Sequence, residues 1–154
     1  MTSSAQRYLS LAAFIAVVLG CGTAIGYLTL PGAWYAGLAK PSFNPPNWVF
    51  APVWSTLYVL IAIAGWRTFM AAPKSTAMKF WLAQMGLNFA WSPVFFGAHS
   101  IGGALLVIVV LLATILAFIV ASWPRDRIAA GLFVPYAAWV GFATLLNVSI
   151  WMLN

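Results

Sequence analysis

The chain has 154 residues, 64% of them hydrophobic and 5% charged, with a mean hydropathy of +0.99; an ordinary soluble domain carries about 25% charge, so lipid rather than water is its main solvent. One cysteine (Cys21), one histidine (His99) and one acid (Asp126) exclude a structural metal cluster, an internal disulfide, paired-carboxylate chemistry and an Asp-His-Ser triad built from this chain alone. The formal charge of +6 comes from seven cations scattered at the ends of apolar runs, a pattern of membrane topology rather than of a nucleic-acid patch.

Five apolar windows, about 8–30, 49–71, 78–97, 101–122 and 128–152, are each long enough to cross roughly 30 Å of hydrocarbon at about 1.5 Å per residue. They predict an all-α membrane protein, a single five transmembrane helix bundle over 1–154. In the first window, Arg7 followed by an apolar run ending in "VLGC" at Cys21 has the form of a lipoprotein leader. The run continues through "GTAIGYLTL" to Leu30, so the segment is read as the first helix. Gly22 and Gly26 give it a small-residue face for close packing.

The connection 31–48 is rich in proline: Pro31, Pro41, Pro45 and Pro46. Residues before proline are pushed toward extended backbone, so 40–47 are predicted to be non-helical, with the second helix starting near Trp48 behind Pro46 and Asn47. Trp34, Tyr35, Phe43 and Trp48 form an aromatic cluster with Lys40. Such a cluster is either an interfacial belt or, because the prolines stiffen it, a preorganised lid. Lys40 either meets a ligand carboxylate or extends its charge to the membrane surface.

Trp54 and Tyr58 lie four apart on the second helix; Gln84, Asn88 and Trp91 lie four and three apart on the third, where Gly86 and Ala90 offer another small face. "AHSIGG", with Gly102 and Gly103, marks a short turn to the fourth helix. The fifth carries Tyr136, Trp139, Ala143 and Asn147 on one stripe. Amides are expensive in hydrocarbon and face the interior, so the three stripes predict an aromatic-walled cavity with a few amide groups. Alternatively, each amide serves as an interhelical hydrogen bond. Arg7, Arg67, Lys74, Lys79, Arg125 and Arg127 fall on one face and Lys40 alone on the other, which places the amino terminus inside and 31–48 outside where the positive-inside rule operates.

"WYAGLAKPSFNPPNWVFAPVWSTLY" (34–58), "NFAWSPVFFG" (88–97) and "VPYAAWVGFATLLN" (134–147) resemble the signature segments of the TspO/translocator-protein family, the tryptophan-rich sensory proteins or peripheral benzodiazepine receptors. The resemblance implies a five-helix bundle, often dimeric, that binds a porphyrin such as protoporphyrin IX or haem and needs no resident cofactor. It implies a ligand pocket at Tyr35, Pro45, Trp54, Tyr58, Asn88, Trp91, Trp139, Ala143 and Asn147, under a lid carrying Trp34, Lys40, Phe43 and Trp48. Three functions follow from it: a tetrapyrrole sensor or receptor, photo-oxidative porphyrin degradation with Trp54 and Trp139 as the reacting indoles, or a porphyrin or lipid carrier. Phe43 stands where the family usually has tryptophan, and the carboxyl-terminal "LNVSIWMLN" lacks the tyrosine and cation of the animal sterol pattern.

Overall fold

The computed structural model describes residues 4–154, and every element among them is helical. Helix α1 spans Ser4–Leu28, α2 Ala33–Gly37, α3 Phe50–Ala71, α4 Thr76–Ser92, α5 Ile101–Ser122, α6 Arg127–Leu132 and α7 Val134–Leu153. Four stretches are long and apolar enough to cross a membrane: Ser4–Leu28, Asn47–Ala71, Ile101–Ser122 and Arg127–Leu153. The third predicted span is the exception. Its α-helical part has 17 residues and gives way at Pro93 to a π-helical turn, Pro93–Gly97, closed by Ala98 N–H donating to the Pro93 carbonyl at 2.8 Å. Proline has no N–H for the α-ladder, and the wider turn continues the helix without it.

Helix α1 packs on α3, α3 on α6 and sparsely on α7, α7 on α5, α5 on α4, and α4 back on α1 and α3. Buried Leu57, Ile61, Met85, Ile108, Ile115, Phe118, Phe133 and Val140 fill the centre. In α1 only Val18 and Gly22 are buried; its other faces are apolar because they face lipid. Gly22 lies against the Tyr58 ring and Gly65 against the Trp81 indole, so closely that a Cβ at either would clash with the ring atoms. Gly26 and Gly86, predicted to be packing glycines, face open space.

Two other expectations are corrected. The fifth window is broken near Phe133, where the backbone N–H bonds back three residues to Ala130 at 3.1 Å, because Pro135 cannot donate to the preceding turn. The 98–100 turn is made not by Gly102 and Gly103, which lie inside α5, but by His99 with φ of 53°. Ser100 caps α5 by accepting from Gly103 N–H at 3.3 Å.

At the cation-rich end Asp126 caps α6, accepting from the N–H groups of Ile128 and Ala129 at 3.0 Å each. The same carboxylate takes Arg67 in a two-pronged pair, at 2.8 and 3.1 Å, which ties α6 to α3. Partial burial would raise the Asp126 pKa, but hydrogen bonds from Arg67 and the two backbone amides hold it below the ordinary carboxylate value.

Candidate functional site: the aromatic end of the bundle

The three predicted stripes converge. Tyr58 donates to Asn88 Oδ1 at 3.2 Å, Asn88 Nδ2 to the Tyr136 hydroxyl at 2.8 Å, and Tyr136 to Gln84 Oε1 at 2.9 Å; Gln84 Nε2 ends the chain on the Trp81 carbonyl at 2.9 Å. Nearer the lid, Trp91 Nε1 donates to Asn147 Oδ1 and Asn147 Nδ2 to the Ile101 carbonyl, both at 3.1 Å. All three amides are buried, and each uses both ends or its donor and acceptor on protein groups. In a low-dielectric interior an orphan amide is costly, so the stripes that shape the site also bind the helices together.

Trp54 lies between Tyr58 and Tyr136, with ring centroids 5.3 and 6.3 Å away. Phe50, one turn before Trp54, meets Trp139 edge-on at 5.9 Å, and Phe142 follows at 5.7 Å. Ala143 is half-buried against the core. Where α3 and α7 contact each other sparsely, Pro52, Val53, Leu60, Pro135, Trp139 and Phe142 line a groove of about 650 Å³, within the size range of small-molecule sites. The indole N–H of Trp139 is buried with no hydrogen-bond partner; it is the one tryptophan N–H on these stripes left in that state.

The loop is a strap. Tyr35 is buried against Phe95 and Phe96 at the end of α4, with centroids 6.1 and 5.3 Å away, and burial pushes its phenol above the ordinary value. Trp34 stacks on His99 at 4.3 Å. Residues 38–46 are non-helical, which covers the predicted 40–47 except Asn47; that residue opens a 3-10 turn, Asn47–Val49, leading into α3. Within them Pro45 and Asn44 are half-buried, Asn44 Nδ2 donating to the Pro45 carbonyl at 3.2 Å, while Phe43 reaches Phe142 at 6.4 Å. Phe43 and Trp48 are largely exposed. Lys40 is committed to the strap itself: its ammonium donates to the carbonyls of Tyr35 at 2.7 Å and Leu38 at 3.1 Å and sits 4.5 Å above the Tyr35 ring. Asn154 fastens the strap at Ala39, accepting from its N–H and donating to its carbonyl, both at 3.0 Å.

Sequence reasoning missed Phe142 on the groove, Phe50 behind it against the Trp139 ring, and Phe95 under the strap. The signal was present: Phe95 extends the Gln84, Asn88, Trp91 stripe by four, and Phe142 follows Trp139 by three.

The model of the TspO/MBR family matches residues 13–152, and the chain is 41% identical to protein CrtK of Rhodobacter capsulatus over 150 residues, 95% of this chain and 94% of that protein. The chain belongs to the TspO/MBR family. Within it, the tryptophan-rich sensory protein of Cereibacter sphaeroides is 38% identical over 93% of this chain and 92% of its own. The translocator protein of Homo sapiens is 37% identical over 91% of this chain and 86% of its own. With four long apolar helices, this TspO/MBR protein is an integral, multi-pass membrane protein.

Proposed function

We propose that this protein is a membrane receptor for a flat, mostly apolar tetrapyrrole, protoporphyrin IX or haem, held at the aromatic end of a five-span bundle in which Thr76–Gly97 is the third span. One observation carries the reading: the unpartnered, buried indole N–H of Trp139 on the wall of an apolar groove. A buried donor without an acceptor costs about 1–3 kcal/mol, and a ligand carboxylate in the groove relieves that cost once the half-buried indole turns its covered N–H toward it. The Trp139 and Phe142 rings line the groove and offer the ligand ring contacts, each good aromatic contact contributing about 0.5–1.5 kcal/mol beyond burial. The interior amides are already paired, so the polar recognition falls to Trp139.

Titrating protoporphyrin IX into purified protein quenches tryptophan fluorescence. Trp139→Phe weakens this about tenfold or more, the value of one hydrogen bond to a charged acceptor, and narrows the preference for the free acid over its dimethyl ester. A Trp54→Phe/Trp139→Phe double variant that titrates like the parent would overturn the assignment.

A further inference from the structure

The cation-rich end carries a second cleft that the tetrapyrrole reading does not use. It measures about 490 Å³ and lies where the α3–α4 turn meets the α5–α6 turn, lined by Ala72, Pro73, Lys74, Ser75, Thr76 and Arg125. Two cations from separate connections thus face one concavity. Neither the Lys74 ammonium nor the Arg125 guanidinium makes a hydrogen bond or ion pair with another described residue; the Arg125 backbone N–H donates to the Ser122 carbonyl at 3.0 Å. The single acid of the chain, Asp126, is adjacent in sequence but already holds Arg67 and the α6 amides. The positive charge of the cleft is therefore uncompensated by protein.

We infer that this cleft binds the phosphate of an anionic lipid headgroup. Two like charges converging on a cleft repel each other, and an anion between them removes that repulsion and adds charge-assisted hydrogen bonds, to which a guanidinium and an ammonium contribute as fork and point charge. The Thr76 hydroxyl on the lining adds a neutral donor. The depth suits a headgroup. Trp123 and Ile128 flank the α5–α6 turn with half or more of their surface exposed, and Arg127 lies 5.8 Å above the Trp123 ring. An amphipathic ring beside a cation is the usual occupant of the headgroup layer, so the cleft opens where lipid phosphates are. Basic clefts between helices on the cation-rich side are suited to such headgroups.

The test uses the full chain, stripped of lipid in detergent and mixed with phosphatidylglycerol or phosphatidylcholine, with retained lipid read by native mass spectrometry. The protein keeps phosphatidylglycerol in preference to phosphatidylcholine, and Lys74→Gln/Arg125→Gln weakens retention about 25-fold, each basic contact near the surface contributing about fivefold. The control Lys79→Gln/Arg127→Gln removes the same charge from the same face and changes retention less than threefold. Equal losses in the two double variants would reduce the effect to net charge and overturn the site. Equal retention of the two lipids would also overturn it. Displacement of the lipid by millimolar inorganic phosphate would assign the cleft to a soluble anion and overturn the lipid assignment. All four substitutions are at exposed positions, and an unchanged melting midpoint in phosphatidylcholine confirms that a lost lipid is not a lost fold.

Discussion

Gly65 and Gly86 are both glycines inside apolar helices, and the structure gives them opposite meanings. A methyl at Gly65 has to displace the Trp81 indole, which is fixed by its own N–H donating to the Ile61 carbonyl at 2.9 Å. Gly65→Ala is expected to lower stability by about 1–3 kcal/mol, as overpacking does, seen as a lower thermal midpoint in detergent. Gly86→Ala has open space and gains helix propensity, up to about 1 kcal/mol; the same melt shows an equal or higher midpoint. Tyr136 is a sharper case, because its hydroxyl accepts from Asn88 and donates to Gln84. Tyr136→Phe strands a donor and an acceptor in a dry interior and costs about 1–3 kcal/mol for each group that finds no new partner. A midpoint within a degree of the parent would show that the network rearranges at little cost.

At the scale of elements, apolar windows located the long helices to within a few residues, since hydropathy reports burial in lipid directly. Breaks were harder to read. The sequence shows Pro93 and Pro135, but whether a proline kinks a helix, widens it into a π-turn or begins a new one depends on the neighbours that take up the freed carbonyls. The amide stripes were legible because a polar side chain in hydrocarbon must point inward. Their saturation was not, because a partner such as Tyr136 for Asn88 lies 48 residues away. Lys40 illustrates the same limit. Its spacing to Tyr35 permits the backbone cap it makes, but α2 itself, five residues between Gly32 and Leu38, was hidden in a proline-rich connection. Lys40→Met is expected to speed amide exchange over residues 35–40 several-fold, since its ammonium caps the strap carbonyls; under the receptor reading proposed above, affinity for protoporphyrin IX stays within about twofold. A tenfold loss of affinity with unchanged exchange would reverse that assignment.

For the whole molecule, the two ends of the bundle are held by different forces. The cation-rich end depends on one carboxylate shared between α3 and α6. Its pKa is depressed in the folded state, so its stabilisation is complete above the unfolded value of about 3.9 and is lost as pH falls through the lower, folded value. A melt series from pH 7 downward therefore shows this contribution intact to about pH 5 and declining below about pH 4, and Asp126→Asn removes that acid limb. The aromatic end is held instead by ring packing, by neutral hydrogen bonds and by the Lys40 ammonium donating to the carbonyls of Tyr35 and Leu38. It is also the end completed last. The bond pair between Asn154 and Ala39 joins residues 115 positions apart, so the strap cannot be fastened until the final helix has been synthesised and inserted. The rings that the strap covers, Phe95 and Phe96 beneath Tyr35, thus gain their fastened cover only after α7 is in place, so assembly of this end waits on the whole length of chain between its two halves.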